Sequence, residues 1–295
     1  FASIYTMIEE AFQPVIYRGL MMDMVNGRAI SREATQNIGY GVEAIEHIIQ
    51  YTDIAPPEFK DSFERMVKQW LLTGDNLMDR FESIPVISIA KDILDDDTIT
   101  PRGELIGHYN FANMDRVTHR TSDYAFSLSM YSNRIGAYEG NMNGENLKGH
   151  YTGSGMTYLY NNDLEQYADG FWATVDPVRL PGITVDPSKE LTVGLGTGKT
   201  SPQSWVGGTT MDGRYGINGM YLDQFVFGQS LQGKKSWFMF DDEIVALGAD
   251  IQSDDGSAIE TIVENRKLND NGNNSLVVDG EQMPTALGWE LEQET

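Results

Sequence analysis

Apolar residues recur at helical spacing over the first hundred positions of this 295-residue chain and at alternate positions from about residue 104 onward. Helices first and strands second, without interleaving, segregate into separate layers. The expected fold class is therefore α+β. A helical part occupies 1–100 and an antiparallel β-sandwich occupies 101–295.

"IYTMIEEAF" sets Ile4, Met7, Ile8 and Ala11 three and four apart. "SREATQNIGYGVEAIEHIIQY" repeats the pattern through Ile38, Val42, Ile45, Ile48 and Ile49, with Ser31 as the expected N-cap. Gly39 and Gly41 would weaken this helix unless they permit close packing. Pro56 and Pro57 interrupt, and "EFKDSFERMVKQWLL" resumes through Phe59, Phe63, Met66, Val67 and Trp70. Short connections imply antiparallel helical hairpins. The stretch 84–103, containing "DILDDDTITPRG", reads as the junction between the two parts.

In "YAFSLSMYS" Tyr124, Phe126, Leu128 and Met130 alternate with small residues, the two-residue period of a strand. "GMTYLYNND" reads as strand then turn, and "KKSWFMFDDEIVALGADI" as two strands about Asp241-Asp242. "SAIETIVENRKL" reads as a further strand before the turn "NDNGNNS".

The chain carries 21 basic and 44 acidic residues, a net charge of −23. Such a balance opposes a nucleic-acid or anionic-membrane surface across the whole molecule. No stretch approaches the roughly 20 apolar residues of a membrane span. Cysteine is absent, which removes disulfides, thiolate metal sites and cysteine nucleophiles. The composition fits a secreted bacterial protein. The start at Phe1 without Met suggests a mature or truncated product.

"VGLGTGKT" (193–200) approximates a phosphate loop but has Val193 where the first glycine is required, and it reads as a surface loop. His47, His108, His119 and His150 lack metal-ligand spacing, and the acidic runs 92–98 and 163–170 lack the calcium-loop pattern. Residues 138–186 are dense in Asn, Gly, Tyr and Trp. These residues either build turns or bind a polyhydroxylated ligand through planar faces and paired donors and acceptors.

"VNGRAISREATQ" places Arg28 and Arg32 four residues apart in an acidic chain. Two readings stand: a local ion pair to Glu33 or Asp23, or a pocket for an anion. The segments "GRAISR", "MDRVTHR", "FSLSMYSNRIGAYE", "NGENLKGHYTGSGMTYLY", "FWATVDPVRLPGIT" and "SWFMFDDEIVALGADI", in that order, closely resemble the polysaccharide lyase family of hyaluronate, chondroitin AC and xanthan lyases.

That resemblance implies the C-terminal helices of an incomplete α/α toroid followed by a large antiparallel β super-sandwich. It implies cleavage of a uronic-acid-containing polysaccharide by β-elimination, giving a 4,5-unsaturated uronate. The proton on C5 is poorly acidic, because its removal adds negative charge beside a carboxylate; that charge must be stabilised and a base supplied. By resemblance Arg28 lies near the base, Arg32 holds a substrate anion and Glu139 orients the catalytic arginine. Asn143 bonds the sugar, with Asn146 competing for that role. No metal and no cofactor are implied. The partner is an acidic polysaccharide, with no nucleic acid and no membrane, and a monomer is expected. The family's asparagine, histidine and tyrosine precede the arginine pair, and neither Tyr5 nor Tyr17 stands in a matching motif. These 295 residues alone are therefore expected to be inactive. A non-catalytic carbohydrate-binding module is the alternative, and a purely structural sandwich a second.

Overall fold

The computed structural model describes residues 2–33 and 36–292. Helix α1 (Ala2–Met7) continues as a π-helical turn over Ile8–Phe12 and a 3-10 turn over Gln13–Val15. A two-stranded ribbon follows, β1 (Ile16–Tyr17) and β2 (Leu20–Met21), paired Ile16 to Met21 and Tyr17 to Leu20. Two 3-10 turns, Asp23–Val25 and Gly27–Ser31, lead to α2 (Asn37–Asp53). The α2 helix packs on α3 (Pro57–Thr73) and α4 (Ile84–Asp95). Ile45, Ile49, Phe63, Met66, Val67, Trp70, Val86, Ala90 and Ile93 fill the space between them, each almost completely buried.

Two expectations for this part are corrected. Ser31 does not cap α2; it ends a 3-10 turn, and the helix starts six residues later at Asn37. The stretch 84–103 is not all junction. Val86, Ala90 and Ile93, four and three apart, bury one face of a twelve-residue helix, and only the segment after Asp95 connects the two parts. Gly41 does permit close packing: a Cβ there would collide with the carbonyl of Gly19 in the β1–β2 turn.

Four strands form a meander, β3 (Gly107–Phe111), β4 (Arg116–Arg120), β5 (Ala125–Ser129) and β6 (Met156–Tyr160), all antiparallel and in chain order. All five residues of β5 are buried, so its alternation does not separate core from solvent. It separates two buried interfaces. Thr118, Arg120 and Tyr160 face the helical part: the Thr118 hydroxyl meets Met22 Sδ, Arg120 donates to the carbonyls of Pro14 and Ile16, and Tyr160 reaches Asp23. Ser127 pairs with Thr118 and Tyr158 on that face. His119 on the other face bonds the Phe240 carbonyl.

A second sheet is formed by β8 (Val206–Met211), β9 (Tyr215–Asp223), β10 (Gln232–Met239) and β11 (Ile244–Gln252), ordered β11-β10-β9-β8, and Phe240 lies just past β10. Alternate residues of β9 and β10, including Met220, Leu222, Lys235 and Trp237, are buried; on the other face Ile217, Leu247 and Trp205 are exposed. Between the sheets β7 is short (Thr184–Val185), and it pairs with β12 (Glu260–Thr261). The strand expected over "SAIETIVENRKL" is only those two residues; the rest is irregular and carries an exposed Val263. No helix among the described residues is long and apolar enough to cross a membrane.

Candidate active site

The two arginines and the Asn-rich loop meet where the helical part joins the first sheet. Arg28 lies in the 3-10 turn Gly27–Ser31, and Arg32 follows it in extended conformation. Opposite them is the long β5–β6 connection, which contains Glu139, Asn143, Glu145 and Asn146. Asn141, Asn143 and Asn146 have φ of 59°, 56° and 49°, the left-handed region that asparagine tolerates better than most residues. Turn geometry therefore accounts for part of the asparagine density.

Arg28 Nη1 contacts Glu139 Oε1 at 2.5 Å, and its Nε donates to Glu145 Oε2 at 2.8 Å. Arg32 grips the same Glu145 with two donors, Nε at 2.6 Å and Nη2 at 3.0 Å, the forked geometry suited to guanidinium and carboxylate. Gly27 allows the approach: its φ is 54°, and a Cβ would strike the Glu139 carboxylate. The arginines thus pair across the interface, not locally with Glu33 or Asp23. Hydrogen bonds donated to Glu139 and then Glu145 raise the Arg28 pKa, and those to Glu145, then Tyr40, do so for Arg32. Arg32 and then Arg28 hold the Glu145 carboxyl below its usual range. Two cations and two anions balance, and Arg28 Nη2 makes no hydrogen bond among the described residues. A guanidinium edge is left open to a ligand.

The expected residues are brought together, with different duties. Asn143 is exposed, and its side chain makes no hydrogen bond among the described residues. Asn146 is buried and Nδ2 donates to the Glu139 carbonyl at 2.7 Å, while its backbone N–H donates to Ser31 Oγ at 2.9 Å. Glu145, which links both arginines, was missed by sequence reasoning. It lies within the quoted "NGEN", and its only signal was an acid beside two amides. Tyr40 stands at the rim, its hydroxyl 3.4 Å from Arg32 Nη1. Tyr5 and Tyr17 are buried, their hydroxyls turned to the carbonyls of Tyr51 and Asp123, and burial pushes both pKa values up. The 193–200 segment is a loop against this site, where Gly198 donates to the Tyr138 carbonyl.

Asp23 anchors the arginine segment from beneath. It is fully buried and its Oδ2 accepts from the Tyr160 hydroxyl at 2.8 Å and Asn37 Nδ2 at 3.2 Å, while Oδ1 accepts from Trp172 Nε1 at 3.4 Å. Asp23 and Asn37 bracket the stretch that carries both arginines. Desolvation raises the Asp23 pKa to about 6 against those hydrogen bonds.

Two cavities flank the ion-pair cluster. One of about 470 Å³ lies on the Glu139 side, lined by Met24, Gly27, Arg116, Tyr138 and Met142. It shares Val25 and Met114 with an apolar groove of about 670 Å³ along α1 and α2. The other, about 260 Å³, lies on the Asn146 side. No group of three or more metal-ligating side chains occurs among the described residues.

Comparison with known proteins accords with this arrangement. Residues 1–69 match the N-terminal α-helical domain of polysaccharide lyase family 8, and residues 106–295 match its super-sandwich domain. The chain is 40% identical to a hyaluronate lyase of Thermasporomyces composti, covering 98% of this chain and 37% of that protein. It is 40% identical to a xanthan lyase of Bacillus sp. strain GL1, over 97% of this chain and 30% of that one. A solved Paenibacillus xanthan lyase superposes with TM-score 0.90 at 48% identity, over 98% of this chain and 27% of that structure. The Streptomyces coelicolor A3 chondroitin AC lyase bound to chondroitin sulphate gives 0.85 at 35% identity, over 93% and 38%. The chain thus spans about a third of the length of these relatives, and with its super-sandwich match alone covering residues 106–295 it belongs to polysaccharide lyase family 8.

Proposed function

We propose that this chain forms one side of the active site of a secreted bacterial lyase that cleaves uronic-acid-containing polysaccharide by β-elimination. The observation that carries this reading is the cross-interface cluster: two arginines from the helical part, oriented by carboxylates from the sheet part, with Arg28 Nη2 open and a cavity on either side. Fixed guanidinium groups supply positive charge placed in advance, which favours the ionised form of the base near Arg28 and holds a substrate anion at Arg32. Arg28 faces the reacting unit and Arg32 holds Glu145 and the neighbouring substrate anion. Glu139 and Glu145 fix the guanidinium planes, Asn146 fixes Glu139, and Asn143 offers an exposed amide to a sugar hydroxyl.

The base that removes the C5 proton, and the charge that neutralises the first carboxylate, come from parts of the enzyme outside these 295 residues. The isolated chain is accordingly proposed to bind acidic polysaccharide without turning it over. Hyaluronan, chondroitin and xanthan are the candidate substrates, as the names of the relatives suggest.

The test is the ultraviolet absorbance of the unsaturated uronate during digestion of each polymer. The full-length enzyme should develop it and the 295-residue chain should not. Binding by the full-length enzyme without product would favour the non-catalytic module instead. Tyr40→Phe tests the location of the base: retained turnover agrees with a base outside the chain, and abolition assigns the base to Tyr40.

A further inference from the structure

The cavity on the Asn146 side has a composition that the ion-pair cluster does not need. Trp172, Leu147, Val175, Pro177 and Leu180 give it an apolar wall, and exposed Lys148 is part of its lining. Lys148 makes no ion pair among the described residues, unlike the two arginines beside it. The indole is held in place, because its Nε1 donates to buried Asp23. The polar part of the lining comes from Ser31 and Asn146, whose own hydrogen bond joins the arginine turn to the loop. The cavity therefore shares a wall with the cluster.

We propose that this cavity is a subsite for one further pyranose unit of the substrate, and that the unit bears an anionic group paired by Lys148. An aromatic plate with aliphatic neighbours suits the C–H face of a sugar ring, and a free ammonium suits a carboxylate or a sulfate. About 260 Å³ is smaller than the 300–1,000 Å³ typical of a whole-ligand pocket, so the cavity takes a single unit of a longer chain. Because the arginines are already balanced by Glu139 and Glu145 and the protein carries −23, an unpaired cation here provides local attraction for a polyanion. The inference rests on the reading that the cluster holds an acidic polysaccharide.

The experiment is isothermal titration of the full chain with hexasaccharides of hyaluronan, chondroitin, chondroitin sulfate and, as a neutral probe, chitin. Lys148→Gln should weaken the anionic probes about three- to tenfold, the size of one partly exposed charge-assisted contact, and leave the neutral one unchanged. Lys199→Gln removes the same charge from an exposed neighbouring loop and should change nothing. Trp172→Leu should weaken all four probes. Lys148→Gln, at an exposed position, keeps the test valid if the indole variant misfolds. A larger loss for chondroitin sulfate than for chondroitin identifies sulfate as the paired group; equal losses identify carboxylate. Equal effects of Lys148→Gln and Lys199→Gln, or none from either, overturn the subsite. Loss of binding in Arg28→Ala with Lys148→Gln and Trp172→Leu unaffected also overturns it, while leaving the cluster's role intact. Loss in the cavity variants with Arg28→Ala unaffected keeps the subsite and removes the cluster from substrate binding.

Discussion

At the scale of single residues, Glu145 has the most consequential contacts, because one carboxylate orients two guanidinium groups. Glu145→Gln keeps the shape and removes the charge, so both arginines lose their anchor, whereas Glu139→Gln disturbs only Arg28. In the full-length enzyme Glu145→Gln should lower kcat by about 100-fold, the scale of losing one preorganised charge contact, and lower it more than Glu139→Gln. Steady-state kinetics of the two variants checks the order. The arginines were legible as a spaced pair and Glu139 only through the family resemblance, but Glu145 was not, since its partners lie 117 and 113 residues away in sequence. Asp23 was legible only as a possible neighbour of Arg28, and its burial comes from packing that no local pattern encodes. Its carboxyl moves from the usual 3.8 to about 6, so the folded protein holds that proton more tightly than the unfolded chain. The corresponding stability is full below pH 3.8 and is lost as pH rises through 6, a change of roughly 3 kcal/mol. His108, pushed down from 6.5 to about 4 by burial, acts in the opposite sense, losing stability as pH falls through the same window. Comparison with Asp23→Asn isolates the first effect: between pH 4 and 6.5 the wild type should lose stability relative to the variant, as followed by thermal melts. A constant difference would refute the Asp23 assignment.

At the scale of elements, the helices were legible where apolar spacing ran uninterrupted and failed where acidic residues dominated. The run "DILDDDT" reads as a linker, yet Val86, Ala90 and Ile93 were already at helical spacing, and packing against α2 and α3 outweighs the charge on the other face. Strand β5 was found but its environment was not. Period two normally signals one wet face, and here both neighbours, helices and second sheet, are part of the same chain. The Gly41 approach to the β1–β2 turn is an equally non-local constraint. Gly41→Ala should cost about 1–3 kcal/mol or more as α2 is pushed off the turn, measurable by denaturant unfolding. Strand β10 contains a further strained choice. Lys235 is buried between the sheets, donating to the Gly182 carbonyl with its ammonium 5.5 Å from the Trp237 ring, and desolvation lowers its pKa from 10.5 to about 7. Its folded pKa lies below the unfolded value, so stability present above pH 10.5 is lost as pH falls through 7. Lys235→Met should therefore stabilise the fold at pH 6, by about 1–4 kcal/mol, and by less at pH 9. An unchanged or lower melting temperature at pH 6 would refute it.

At the scale of the whole molecule, the site exists because two differently built parts share one interface. The helical part presents cations on a tight 3-10 turn, the sheet part presents carboxylates on a loop with left-handed asparagines, and buried Asp23 ties the turn to Tyr160 of β6. The order of helices and strands, and so the fold class, was legible from periodicity. The meeting of positions about 110 residues apart was legible only through resemblance to a family, because nothing in composition or spacing encodes it. Cavities lie on both sides of the cluster. The most direct measurement is the initial rate of unsaturated-uronate formation by the full-length enzyme bearing Arg28→Ala, set beside Lys199→Ala. The account predicts at least about a 100-fold loss for the arginine variant and an unchanged rate for the lysine variant. Equal losses in both, or a normal rate in both, would contradict it.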